Sequence, residues 1–210
     1  MNDAELDFSA IRELYSSDEF HKLSLFAELL GTLGIERGLI GPKEADKIWS
    51  RHLLNCAVVV PLLPKTGEVI DLGSGAGLPG IVVAILRPEQ SVILLEPLLR
   101  RVTWLEEVSS RLGLRNAVVI RGRAENEADQ LQGAVVISRA VARLPKLLAW
   151  SRPLLPVGGE LIALKGSTVR EEIEEITQKQ RRGWLWPPTV TKLALLQGVE
   201  QTTVLRLARK

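Results

Sequence analysis

The chain has 210 residues, 46% of them hydrophobic and 25% charged, with a formal net charge of +2. These are the values of an ordinary soluble globular protein, with length for one domain, a small appendage and a sizeable core. A single cysteine, Cys56, and only two histidines, His21 and His52, exclude an internal disulfide, a four-ligand zinc site and a thiolate-held iron–sulfur cluster, so no metal is expected.

So small a net charge is slight ground for a polyanionic partner, and the distribution of charge has to carry that argument. No apolar run reaches the roughly 18 residues of a membrane span, and the acidic start Asn2-Asp3-Ala4-Glu5 is unlike a signal peptide. A cytoplasmic protein with no membrane partner is expected.

The first sixty residues show helical patterning and no strand-like alternation. Ser17, followed by Asp18 and Glu19, reads as an N-cap, and Phe20, Leu23, Phe26, Leu30 and Leu33 form one apolar stripe. Pro42 suits the first turn of a further helix carrying Ile48, Trp49, Leu53 and Leu54. Residues 1–64 are therefore expected to be a helical segment packed on the remainder, 65–210.

From Glu68 the rhythm becomes strand–helix–strand. The predicted strands are Val69–Leu72, Val92–Glu96, Val118–Arg121, Val135–Ser138 and Glu160–Lys165, with helices over Ile81–Leu86, Arg101–Leu112 and Lys146–Leu154. Short apolar runs separated by helices predict a parallel sheet covered on both faces. A polar helix over Ser167–Arg182 and a terminal hairpin, Thr189–Leu195 with Thr202–Ala208, complete the pattern. The fold class is α/β, a doubly wound Rossmann-like sheet of seven strands with the last antiparallel, the variant found in class I methyltransferases.

The most informative stretch is Val69-Ile70-Asp71-Leu72-Gly73-Ser74-Gly75-Ala76-Gly77-Leu78-Pro79-Gly80. A strand running into such a turn and then a helix is where α/β sheets receive nucleotide-like ligands. Gly75, Gly77 and Gly80 spell the dinucleotide pattern G-x-G-x-x-G, so a nicotinamide or flavin reading has to be weighed. Asp71 argues the other way. An acid at the strand end repels a pyrophosphate but suits a cationic amino acid moiety, as in S-adenosylmethionine.

Glu96, nineteen residues after Gly77, ends the second strand. A carboxylate there accepts ribose hydroxyls in either cofactor class. The third strand runs into Arg121-Gly122-Arg123-Ala124-Glu125, beside the expected ligand crevice. Arg139 ends the fourth strand and Lys165 the fifth. An arginine there is costly to hold without an anion, which could be a cofactor carboxylate, a substrate phosphate or Glu125. Arg100, Arg101, Arg121, Arg123, Arg143 and Lys146 complete a cationic rim suited to phosphates, or a set of scattered solvated cations. Arg181 and Arg182 read as helix-dipole partners. Cys56, in an apolar helical stretch, reads as core. Neither a nucleophile elbow nor a Walker-type lysine is present.

Taken together, Val69–Gly80, Arg100-Arg101-Val102-x-Trp104-Leu105, Ser138-Arg139-Ala140, Ala163-Leu164-Lys165-Gly166 and Arg51-His52-Leu53-Leu54 resemble the bacterial small-subunit rRNA guanine-N7 methyltransferases. These are the RsmG type, also called glucose-inhibited division protein B. The likeness covers roughly residues 20 to 166 and fades in the last forty. Gly38-Leu39-Ile40 departs from the Asn-Leu-Thr common in that family. The resemblance implies methyl transfer from S-adenosyl-L-methionine to N7 of a guanine in the 530 loop of 16S rRNA, free or within the 30S subunit or its assembly intermediate. It implies cofactor contacts by Gly73, Leu78, Ala124, Glu125 and Arg139. To these the strand-end reading adds Asp71, Gly75 and Glu96, with Arg139 and Lys165 organising catalysis and His52 contacting base or phosphate. The protein is expected to act as a monomer. The competing readings are a nicotinamide-dependent oxidoreductase and a non-catalytic rRNA-binding assembly factor.

Overall fold

The computed structural model describes residues 2–210. Its centre is a seven-stranded sheet of β1 (Val69–Leu72), β2 (Val92–Glu96), β3 (Ala117–Arg121), β4 (Val135–Arg139), β5 (Glu160–Lys165), β6 (Thr189–Leu193) and β7 (Thr202–Ala208). The spatial order is β3-β2-β1-β4-β5-β7-β6. β1 to β5 are mutually parallel, and β7 runs antiparallel to both β5 and β6. The strand order reverses between β1 and β4, which opens a crevice outside their carboxyl ends.

β1 and β2 are buried along their whole length, as expected of apolar runs covered on both faces. Val69 packs with the cluster that holds α4 (Gly80–Leu86) and α5 (Leu99–Arg111). Ile70 and Leu72 face the opposite cluster, with α7 (Leu144–Ser151). Asp71 lies on the Val69 side, because side chains alternate along a strand. Two short helices, α6 (Ala124–Glu127) and α8 (Val169–Glu174), follow β3 and β5.

Residues 2–63 pack on the α4–α5 side. Phe26 and Leu30, from α2 (Ser17–Leu29) and the π-helical turn after it, share one buried cluster with Ile81, Trp104 and Leu105. Leu53 and Leu54 join it from a second π-helical turn, Ile48–Leu53, and from α3 (Leu54–Ala57). A short helix, α1 (Phe8–Glu13), precedes these. The carboxylate of Asp3 accepts the amides of Trp49 and Ser50, each at 2.8 Å, and ties the chain's start to the turn that carries Arg51 and His52.

Several expected boundaries move. Ser16, not Ser17, caps α2, because Ser16 and Glu19 have the spacing that lets each side chain accept the other's amide. The single helix expected over Ser167–Arg182 is two, α8 and α9 (Gln178–Arg181). Thr177 starts the second through a reciprocal cap with Gln180. The hairpin's first strand stops at Leu193, and residues 194–201 connect it to β7.

Candidate functional site

A cavity of about 740 Å³ lies outside the carboxyl ends of β1, β2 and β4. The glycine turn forms its floor, and Leu39, Ile40, Glu44 and His52 of the N-terminal segment wall one side. Gly73, Gly75, Leu78, Glu96, Ala124, Glu125 and Arg139 all line it. Residues scattered over 66 positions of sequence thus converge because every crossover returns the chain to the same sheet edge.

Most amides of the turn are already paired. Gly73 and Ser74 donate to Leu95 O at 2.8 and 3.2 Å, and Gly77 and Leu78 donate to Ser74 O at 2.7 and 3.2 Å. Gly75 N donates to Glu96 Oε2 at 3.0 Å. A pyrophosphate cradle needs unpaired N–H groups and no neighbouring carboxylate. This turn has most of its N–H groups paired and the Glu96 carboxylate beside it, which weighs against the dinucleotide reading. The glycines serve close packing instead. Gly73 has φ +73°, and a Cβ there would come within 2.7 Å of the Val141 side chain. The buried indole of Trp104, on α5, pins the turn by donating to Ala76 O at 3.0 Å.

Glu96 is 1% exposed. Its two oxygens accept Gly75 N and, at 2.9 Å, Leu98 N, and Arg101 Nη1 stands 3.7 Å away. Each carboxylate oxygen keeps a further lone pair, so this acid can still receive two hydroxyl donors.

Asp71 does not line the cavity, which corrects the expected contact with a ligand's ammonium. The side chain lies on the α4 side of β1, wholly buried, with Oδ2 accepting Gly80 N at 2.9 Å. Oδ1 has no partner. Burial pushes the acid up to about 7, against the opposing pull of the Gly80 amide. It anchors the helix start beneath the turn.

Arg139 spans from the cavity to the N-terminal segment. Its Nη2 donates to His52 Nδ1 at 2.5 Å, and Nη1 donates to His52 O at 3.4 Å and to Cys56 Sγ at 3.2 Å. All three acceptors are neutral, and among the described residues no carboxylate pairs with this guanidinium. The Cys56 contact was not legible in the sequence, where the residue reads only as core. Glu44, also missed, places Oε2 3.1 Å from His52 Nε2 without hydrogen-bond alignment.

Burial and the neighbouring Arg139 charge lower the His52 pKa to about 4. Because the folded protein holds this imidazole neutral, the unfolded chain takes up a proton between pH 6.5 and 4 that the folded one refuses. Stability from this group is therefore lost as pH falls through that window. Relative to the wild type, His52→Gln should therefore gain in urea midpoint as pH falls from 7 to 5; parallel pH profiles for the two proteins would refute the assignment.

Lys165, expected to organise the site together with Arg139, does not line the main cavity. Its Nζ is held by Glu172 Oε2 at 2.6 Å and Ala142 O at 3.2 Å, both side chains being almost fully buried. Glu172 also accepts Leu144 N at 2.6 Å. Arg143 is likewise paired, with both oxygens of Glu175 at 2.7 Å. The cationic rim expected from sequence is thus partly neutralised. Lys165 lines an adjoining cavity of about 970 Å³ that shares Arg51, Arg139, Ala140 and Val141 with the first, so Arg139 stands on the wall between the two. No group of three or more His, Cys, Asp or Glu side chains that could hold a metal occurs among the described residues. Nor is any described helix long and apolar enough to cross a membrane.

Comparison with known proteins adds three findings. A family profile described as rRNA small subunit methyltransferase G matches residues 19–184. Relatives named ribosomal RNA small subunit methyltransferase G include one from Thermobifida fusca, 53% identical over 173 residues, which are 82% of this chain and 73% of that one. Another, from Corynebacterium jeikeium, is 46% identical over 204 residues, covering 96% of this chain and 91% of its own. Among solved structures, a putative O-methyltransferase from Klebsiella pneumoniae superposes with a TM-score of 0.61 at 13% identity, covering 97% of this chain and 96% of that one. That last likeness is one of fold.

Proposed function

The chain belongs to the rRNA small subunit methyltransferase G family, and from that premise we propose that it transfers a methyl group from S-adenosyl-L-methionine to N7 of a guanine in the 530 loop of 16S rRNA. The observation that carries the cofactor reading is Glu96. A buried carboxylate on the cavity wall, positioned by two main-chain amides and with acceptor capacity left on both oxygens, fits the two ribose hydroxyls of an adenosine.

The rest of the cavity fits the same group. Gly73, Leu78 and Ala124 offer close, uncharged walls, and Glu125 stands in the first turn of α6, after β3. Arg139, whose contacts are all neutral, supplies the cation that the cofactor's carboxylate needs. Asp71 contributes from below by fixing the start of α4 rather than by touching the ligand. When bound, the cofactor supplies an electrophilic methyl group on a sulfonium centre.

The chain's residues then have one task, to place the acceptor. Guanine N7 carries a free lone pair at neutral pH, so no side chain has to remove a proton before attack. Catalysis is orientation and exclusion of water. The adjoining cavity lies where the guanine and its neighbouring phosphates would enter, with Arg139 and Arg51 between the two chambers. Lys165 acts as a positioning residue. Through Ala142 O and Glu172 it fixes the segment after β4 that separates the chambers. The reading places the protein with ribosomes in the cytoplasm, acting as a monomer.

The decisive experiment incubates the protein with tritiated S-adenosylmethionine and 16S rRNA or 30S particles from cells lacking the modification. Label at a guanine N7, mapped by mass spectrometry, is expected. Absence of label on both naked RNA and particles would overturn the proposal in favour of a non-catalytic rRNA-binding factor.

A further inference from the structure

Helix α7 begins at the adjoining cavity, where Arg143 precedes it, and its eight residues carry the chain about 12 Å away from the catalytic end. Along its length, from Pro145 to Arg152, lies a separate cavity of about 490 Å³, lined also by Lys179 and Arg182 over an apolar floor that includes Leu148 and Trp184. Arg152 Nη1 donates to Arg182 O at 3.4 Å. Lys210 closes on the same spot through its amide, 2.9 Å from Gly183 O. Beside them, Arg181 stacks on Trp186 with its guanidinium 4.6 Å from the ring centroid.

None of these five cations makes an ion pair among the described residues, whereas Arg143 and Lys165, toward the other end of α7, are both paired. Arg152, Lys179, Arg182 and Lys210 are exposed. Crowding Arg152, Lys179 and Arg182 around one cavity whose lining holds no acid disfavours the free surface and favours a partner that carries several negative charges. The cations come from three separate parts of the chain, after α7, in and after α9, and at the C-terminal residue. A polyanion can satisfy such a spread, while a single small ion cannot.

We propose that the surface of Arg152, Lys179, Arg182 and Lys210 around Trp184 is a second contact site for RNA phosphates, engaging the strand flanking the guanine that enters the catalytic end. This rests on the rRNA reading above and adds to it a docking surface remote from the cofactor. Because Trp184 is buried, it forms a floor and does not project for insertion into a lipid surface, so RNA is the partner favoured here.

Charge reversal at two exposed positions, Lys179→Glu with Arg182→Glu, tests this, with Lys179→Gln and Arg182→Gln as the milder pair. Binding to naked 16S rRNA and to 30S particles would be measured across salt concentrations, and S-adenosylmethionine affinity would check the fold. Two lost phosphate contacts should weaken RNA binding by about tenfold near physiological salt and flatten the salt slope by about 1.4 to 1.8. The loss should fall in KM for RNA. If the wild type methylates RNA but affinity and slope are unchanged in folded variants, the site is refuted while the enzyme stands. If the slope changes but no methylation occurs in the wild type, the surface stands and the catalytic reading fails.

Discussion

Glu96→Ala should abolish tight S-adenosylmethionine binding, with a loss of about a hundredfold in affinity by calorimetry, while affinity for rRNA stays within about twofold. The magnitude follows from what the carboxylate does. Two hydroxyl donors to a desolvated acid contribute on the order of 1.5 kcal/mol each, and 3 kcal/mol is about two decades of affinity. The substitution also leaves Gly75 N and Leu98 N without acceptors, so the turn loosens where the adenosine would lie. Glu96→Gln separates the two effects. An amide oxygen retains one main-chain acceptor, so the turn should hold better while half of the ribose recognition is lost. Binding unaffected by either substitution would remove Glu96 from the site and with it the main support for an adenosine-bearing cofactor.

The parallel sheet was legible because its evidence is local. Continuous apolar runs such as Val92–Leu95 have no other stable use in a chain of this composition, and a glycine turn after an acid fixes the crossover into α4. The crevice position then follows from topology, so the convergence of Gly73, Glu96, Ala124, Glu125 and Arg139 on one cavity was accessible from strand ends alone. What a strand end cannot reveal is which face a side chain takes and what has already claimed it. Asp71 and Glu96 both occupy carboxyl-terminal portions of central strands, yet one is consumed by a helix start and the other faces the cavity. The pairing of Lys165 with Glu172 was hidden because it depends on how α8 packs back against the end of β5, which local pattern does not encode. The contacts of Arg139 with His52 and Cys56 span 83 to 87 residues, and nothing in local pattern encodes them. The N-terminal turns deviate into π and 3₁₀ geometry because buried packing, not helix propensity, sets their path.

Gly80→Ala should destabilise the protein by about 2–4 kcal/mol in urea unfolding, even though alanine is the better helix former by up to about 1 kcal/mol. The reason lies beneath the turn. A Cβ at Gly80 would overlap Asp71 Oδ2 and Leu94 Cδ2 and come within 2.8 Å of Asp71 Cβ. Both neighbours sit on fully buried central strands, which cannot give way cheaply. Overpacking of this kind costs about 1–3 kcal/mol, and displacing the Gly80 amide from its buried acceptor adds a similar amount. Gly166→Ala, where a Cβ meets nothing within 4 Å, should be close to neutral and serves as the control. The pH dependence gives a sharper test. Asp71 in the folded protein is raised above the usual carboxylate range to about 7, so the folded state holds a proton that the unfolded chain has released. Stability from this group is therefore present below about pH 4 and is lost as pH rises toward 7. Losing the Gly80 donor raises the acid further and extends that loss to higher pH. The deficit of Gly80→Ala should then be larger at pH 8 than at pH 5, and equal deficits at both would show that the clash is not relayed through Asp71.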